Sequence, residues 1–229
     1  MHQLRGNKVQ ILIIAAHPDD EVLGCGATAA RLAQEGHCVT PVIICENATV
    51  RYKTDMQEYL EDCAKKSASI LGLSEPVFLR MPDQKLDTYS ALEMAQTLEK
   101  VIKKMKPQMI FTHHGGDINK DHQIIFDATL VATRPTPANQ VVTVYTYETI
   151  SSTEWAYSDF YARFNPNTFF DVTKTLKLKL EAFQQYTSEL REYPHPRSLQ
   201  GIEIRAKDWG TRVGVQAAEA FQLIRNIIR

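Results

Sequence analysis

The 229-residue sequence has no long apolar run, no marked excess of charge of either sign and only four cysteines. Nowhere does it offer the ~18 or more consecutive apolar residues that a membrane helix needs, so no membrane span is expected. Its 26 Lys and Arg against 27 Asp and Glu give a formal charge of −1, which removes a whole-protein electrostatic case for nucleic acid or an anionic membrane. Cys25, Cys38, Cys45 and Cys63 show no C-x-x-C spacing, which argues against a disulfide framework and against a cysteine zinc site. A reducing compartment, the cytoplasm, is the expected location. Internal repeats, low-complexity tracts and linkers are also lacking, and the length suits one domain over residues 1–229. Arg5 and Lys8 before the apolar residues 11–16 resemble the start of a signal peptide, but the run is too short and stops at His17 without a small-residue cleavage pattern. It reads as a buried strand.

What is present is alternation. A helix over 21–34 stopped by Gly36, then an apolar run over 39–45, complete a β-α-β unit. Met56, Leu60, Cys63, Ser67 and Ile70 share a helical face over 55–71, ahead of Gly72 and a short strand at 77–79. Leu92, Ala95, Leu98, Val101 and Met105 repeat that spacing before Pro107 and a strand at 109–112. A helix at 121–132 and a β-branched strand at 141–147 follow, then a long polar and aromatic connection over 151–167. Residues 173–188 and 202–229 read as helices, the latter with a break at Gly210 or Gly214, and residues 193–197 between them are irregular because both prolines resist a helix interior. Such alternation implies an α/β fold, a mostly parallel sheet covered by helices on both faces.

In an open parallel sheet, ligands bind at the carboxyl ends of the strands, so residues just after each strand can meet in space. Two such places are loaded: His17, Asp19, Asp20 and Glu21 after the first strand, and His113, His114, Asp117, Asn119, Asp121 and His122 after the strand at 109–112. His17 and Asp20 lie three apart across a turn entering a helix, and His122 can supply a third arm. Two histidines and one carboxylate, leaving a position for water, form a catalytic zinc pattern. Asp19, beside a ligand but free itself, is then placed as general base. Taken singly, the acidic residues 19–21 are better explained as complements of a helix dipole, and Asp117 and Asn119 as turn or cap residues; it is their joint arrangement at two strand ends that points to a site. Of the adjacent His113 and His114, at most one faces the site. A rival motif, Gly24-x-Gly26-x-x-Ala29 with Glu46 downstream, matches a dinucleotide fingerprint, but seven residues separate it from the strand and place it inside the helix, where close packing explains the glycines.

Residues 16–21, Ala-His-Pro-Asp-Asp-Glu, followed by Val22-Leu23-Gly24-Cys25-Gly26, resemble the signature of the PIG-L/LmbE-like family of zinc-dependent N-acetyl sugar deacetylases. The resemblance continues through Met81-Pro82-Asp83, residues 117–122, residues 151–155 and the closing stretch from Gly210 to Phe221 with its Ala218-Glu219-Ala220-Phe221. It implies a Rossmann-like fold, Zn2+ held by His17, Asp20 and His122, Asp19 as general base, and hydrolysis of an acetamido group on an amino sugar conjugate. Many members carry histidine three residues before the last ligand; here that position is Asn119, which can donate a hydrogen bond to an oxyanion but cannot pass a proton. His195 is a second candidate donor. Arg51, Arg80, Arg134 and Arg197 are candidates to pair with an anionic group of the substrate, and Trp155 to stack on a sugar. Trp155, Trp209 and the stretch from Tyr157 to Phe164 are candidates for a homo-oligomer contact. Two other readings stay open: a non-haem Fe(II) oxygenase using the same facial triad, and a nucleotide-binding module using the glycine motif.

Overall fold

Ile11 and Ile13 of strand β1 (Gln10–Ala15) pack with Phe111, Phe170 and Phe221 on one side, and Leu12 and Ile14 pack with Val42, Ile44 and Ile110 on the other. A strand buried on both faces has no polar alternation, which is why its sequence reads as one apolar run. These contacts come from a computed structural model, which describes residues 8–46, 56–157 and 159–228.

Around this strand the chain runs α1 (Asp20–Gln34), β2 (Cys38–Cys45), α2 (Met56–Leu71), β3 (Val77–Met81), α3 (Ala91–Met105), β4 (Met109–His113), α4 (Lys120–Ala132), β5 (Thr143–Tyr147), β6 (Thr168–Asp171), α5 (Leu176–Phe183), α6 (Leu199–Val213) and β7 (Ala218–Asn226). The sheet order is β3-β2-β1-β4-β5-β7-β6. The first five strands are parallel, and β7 is antiparallel to both of its neighbours. The sheet grows from β1 in one direction through β2 and β3 and in the other through β4 and β5, so the topological switch point lies between β1 and β4. Their carboxyl ends open a crevice there, and the two loaded loops leave from it. The fold is thus the expected Rossmann-like α/β architecture, with a mixed rather than wholly parallel sheet.

Local signals account for most boundaries. Ser90 and Glu93 form a reciprocal capping box at the start of α3, and Lys106 in a left-handed conformation ahead of Pro107 ends it. The C-terminal helix expected over 202–229 is corrected: α6 stops at Val213 because Gly214 takes a left-handed φ of 74°, and the remainder is strand β7. Ala218 to Phe221 has good helical propensity, but pairing with β5 and β6 overrides it. The helix expected over 173–188 is shortened to α5, and β6 occupies residues between it and the long connection.

Gly24 and Gly26 lie inside α1, not in a strand-to-helix turn. A Cβ at Gly24 would come within 2.2 Å of the Tyr147 ring, which is itself fixed by its hydroxyl donating to the Ile14 carbonyl at 2.8 Å. Gly24→Ala is therefore expected to lose about 1–3 kcal/mol of stability in urea unfolding, and less in a Tyr147→Leu background. Equal losses in both backgrounds would contradict this account of the glycine.

Candidate active site

The turn from β1 into α1 is held in an unusual shape. Asp19 has φ 115° and ψ −30°, a region L-residues rarely adopt, at a cost on the order of 1–3 kcal/mol. Hydrogen bonds over-determine it. Its carbonyl accepts from the Val22 and Leu23 N–H groups at 3.0 and 2.9 Å, and its own N–H donates to Glu21 Oε2 at 3.0 Å. The result turns the Asp19 and Asp20 side chains into the crevice from consecutive positions.

Across the crevice, Asn119 caps α4 by accepting from the Asp121 N–H at 2.9 Å, and Asp117 accepts from the Asn119 N–H at 2.8 Å. This places His122 on the first turn of α4, facing the end of β1. His17 Nδ1 lies 3.1 Å from Asp20 Oδ2 and 3.3 Å from His122 Nε2, and His122 Nε2 lies 3.2 Å from Asp20 Oδ2. All three residues are buried. A tetrahedral zinc with bonds of about 2.0–2.1 Å needs donor atoms about 3.3–3.4 Å apart. The near-equilateral triangle matches that spacing, so the residues present fit a divalent ion.

Both imidazoles of the triangle are backed by carboxylates. His17 Nε2 faces Asp83 Oδ1 at 3.1 Å and Asp121 Oδ2 at 3.2 Å, leaving Nδ1 to point at the triangle. Cys45 Sγ lies 3.8 Å from Asp121 Oδ2, so His17, Cys45 and Asp121 form a second close group that shares the same imidazole. Carboxylates behind a ligating imidazole are the usual support of a metal site. His122 Nδ1 faces Asp117 Oδ2 at 3.2 Å, close enough for an ion pair although not aligned for a hydrogen bond. Asp117 is held in turn by the hydroxyls of Ser152 and Thr153.

Charge follows this arrangement. Burial works against a charged His122, yet Asp20 and Asp117 push it up to about 9. Burial likewise opposes charge on His17, but hydrogen bonds to Asp121, Asp20 and Asp83 raise it well above the ordinary imidazole value. For Asp20, burial is outweighed by the imidazoles of His122 and His113, which hold its carboxyl well below the usual range. Asp19 goes the other way: burial raises it well above the usual carboxylate value, only partly opposed by Arg197.

His113 is fully buried and faces the site, but both its nitrogens are engaged. Nε2 accepts from the Ala16 N–H at 2.8 Å, so Nδ1 carries the proton and donates to Thr149 Oγ1 at 3.1 Å. Its ring stacks on His122 at 3.9 Å, fixing that ring's plane. His114 points elsewhere, to the Ala162 carbonyl at 3.0 Å.

A cleft of about 550 Å³ opens over the triangle, lined among others by Asp19, Asn119, Trp155, His195 and Arg197. Asn119 Oδ1 is committed to its helix cap, which leaves the amide NH2 as its donor. His195 Nδ1 accepts from the Arg197 N–H at 3.0 Å, so Nε2 carries the proton of the neutral ring, and Trp155 packs edge-on against it at 5.8 Å. Arg197, expected among substrate contacts, bonds Asp19 Oδ2 at 3.2 Å, Glu189 Oε2 at 2.9 Å and Ser151 Oγ at 2.6 Å.

Arg80 and Arg134 are corrected, since neither lines the cleft. Arg80 forms a two-bond pair with Glu61 of α2 at 2.7 and 2.9 Å, and Arg134 borders a separate cavity beside Glu99. Arg51 lies outside the described residues. The roles of Asp83 and Asp121 behind His17, and of Glu189 beside Arg197, have no local sequence signal. Their carboxylates were visible, but nothing local told which buried group they would face.

Residues 12–133 match the family model described as PIG-L: GlcNAc-PI de-N-acetylase. The chain is 30% identical over 184 residues to the "uncharacterized deacetylase YaiS" of Escherichia coli (strain K12), covering 78% of this chain and 90% of that one. In fold it is similar to N,N'-diacetylchitobiose deacetylase from Pyrococcus horikoshii, with TM-score 0.78, 20% identity and coverage of 96% of this chain and 85% of that one. It is also similar to GalB, the 4-carboxy-2-hydroxymuconate hydratase from Pseudomonas putida KT2440, with TM-score 0.74, 19% identity and coverage of 96% and 98%. At such identities these two likenesses show the fold alone.

Glu21 gives the site a pH signature. Burial pushes its carboxyl from 4.5 up to about 7, although the Tyr186 hydroxyl donates to it at 2.5 Å. The folded chain keeps this proton while the unfolded chain releases it near 4.5, so the contribution of Glu21 is full below that pH and is lost as pH rises towards 7. The stability of the metal-free protein relative to Glu21→Gln is expected to fall by about 3 kcal/mol across that window. Parallel unfolding curves at pH 5 and pH 7.5 would contradict it.

Proposed function

The chain belongs to the GlcNAc-PI de-N-acetylase (PIG-L) family, and from that premise we propose that it is a zinc-dependent hydrolase that removes acetyl from an N-acetylated amino sugar or its conjugate, giving a free amine and acetate. The observation that carries the reading is the donor triangle of His17 Nδ1, Asp20 Oδ2 and His122 Nε2 at the switch point, with a separate buried carboxylate beside it. The deacetylase name of the relative from Escherichia coli supports the same class. We read residues 1–229 as one domain of this kind and place it in the cytoplasm, a reading supported by the free thiols of all four cysteines. No helix among the described residues is long and apolar enough to cross a membrane.

His17, Asp20 and His122 would hold the metal. Zinc bound there supplies Lewis acidity, which polarises an amide carbonyl and makes water acidic near neutral pH. Asp19 acts as general base, taking a proton from the attacking water as oxygen adds to the acetyl carbon. Burial raises its affinity for protons and Arg197 opposes that rise, which suits a group that must take a proton and give it up again. As the carbonyl oxygen becomes anionic, Asn119 Nδ2 and His195 Nε2 are the donors facing it. Asp19 then returns the proton to the departing nitrogen as the C–N bond breaks. Trp155 forms one wall of the sugar pocket. The cleft volume accommodates a sugar with part of an aglycone.

Asp19→Asn is expected to retain stoichiometric zinc but lose about 10²–10⁴-fold in kcat. The assay is acetate and free amine released from a panel of N-acetylhexosamine conjugates, with activity removed by a chelator and restored by zinc. Full activity in the variant would remove Asp19 from the mechanism, and iron with oxygen uptake would replace the hydrolase by an oxygenase.

A further inference from the structure

α1 is not one continuous helix. Cys25 has φ −148° and ψ 23°, which breaks the hydrogen-bond ladder after a single turn, Asp20 to Gly24, before the helix resumes towards Gln34. A helix break orphans carbonyls on one side and N–H groups on the other. Here these groups are buried, and an ion pair from two distant elements satisfies them. Lys179 of α5 donates from Nζ to the Leu23 carbonyl at 2.7 Å. Glu219 of β7 accepts the Ala27 N–H on Oε1 at 3.2 Å and the Thr28 N–H on Oε2 at 2.6 Å. The two side chains pair with each other at 2.6 Å, and both are only 5% exposed.

Lysine and glutamate are almost never this buried unless paired, and an apolar pair of similar size is often as stable or more so. Fold stability alone therefore gives a weak account of this pair. Its polar atoms reach three backbone groups that flank the break: the Leu23 carbonyl, at the end of the turn that begins at Asp20, and the Ala27 and Thr28 N–H groups beyond it. A one-turn helix cannot hold its own geometry, because nucleation is unfavourable without several successive hydrogen bonds.

We propose that Lys179 and Glu219 are positioning residues that clamp the broken helix and so fix the turn presenting Asp19 and Asp20 to the crevice. This rests on the metal-dependent reading of the site for its catalytic consequence, while the clamp itself is a property of the chain alone.

The experiment compares wild type with Glu219→Gln, Lys179→Arg, Lys179→Met and the double variant K179M/E219L. Zinc affinity is measured by competition with a chelator, amide exchange of residues 22–28 in the metal-free protein, and kcat and KM at saturating zinc. Glu219→Gln and the double variant are expected to bind zinc about 10–100-fold more weakly, with faster exchange over residues 22–28 and a loss in kcat rather than KM. Lys179→Arg, which still donates to Leu23, should retain most of the affinity. Lys179→Met buries an unpaired carboxylate and is expected to unfold easily, whereas the double variant buries no charge and should recover thermal stability without recovering zinc affinity. A double variant that is stable, binds zinc as wild type does and exchanges residues 22–28 at the wild-type rate would overturn the proposal. If wild type itself binds no zinc, the metal-dependent reading fails, and exchange over residues 22–28 decides the clamp by itself.

Discussion

The crevice is governed by a surplus of buried carboxyl groups. Asp19, Asp20, Glu21, Asp83, Asp117 and Asp121 are all nearly inaccessible to water around one small volume, and isolated buried carboxylates are too costly to persist without partners. Asp20 Oδ2 is the focus, accepting the His17 N–H at 2.9 Å and lying 3.1–3.5 Å from nitrogens of His17, His122 and His113. The imidazoles of His17 and His122 are drawn towards their charged forms by the same field, whereas burial and the neighbouring His122 hold His113 towards its neutral form. A divalent cation in the triangle would satisfy this field more directly than protonated histidines do, because it would place two positive charges where the donors converge.

The fold brings these groups together without bringing them close in sequence. β1 and β4 are adjacent parallel strands whose following loops diverge to opposite sides of the switch point, so His17 and His122 meet across 105 positions of chain. Behind them the supports are layered. Asp83 and Asp121 sit behind His17, Asp117 behind His122, and His113 is pinned flat against the His122 ring. The strained Asp19 backbone is maintained by Glu21, itself held by Tyr186. Arg197 and Glu189 approach Asp19 from the C-terminal third. Rigid placement of this kind is what a reaction needs when its groups must act within a fraction of an ångström.

Much of this was legible in the sequence because two signals coincide in it. Apolar runs alternating with helical periodicity placed the strand ends, and the residues just beyond two of those ends were rich in His and Asp. His17, Asp20 and His122 could therefore be grouped without coordinates, and the residues from Ala16 to Gly26 added a family resemblance. What stayed hidden depends on long-range contact. β7 read as helix because Ala218 to Phe221 favours one locally, and only its partners β5 and β6 make it a strand. Charge and loop position point to Arg80 and Arg134 as substrate contacts, but Glu61 and Glu99 claim them elsewhere. The same features point to Arg197, which instead reaches Asp19, a contact 178 positions away. The break at Cys25 had no sequence signal apart from its flanking glycines.

The most direct measurement is the anomalous difference density, collected at the zinc absorption edge, of crystals grown from the zinc-loaded protein. The account predicts one peak per chain, bonded to His17 Nδ1, Asp20 and His122 Nε2, with Asp19 close by but unbonded. A peak on the other side of His17, among Asp83, Asp121 and Cys45, or no peak at the triangle, would contradict it.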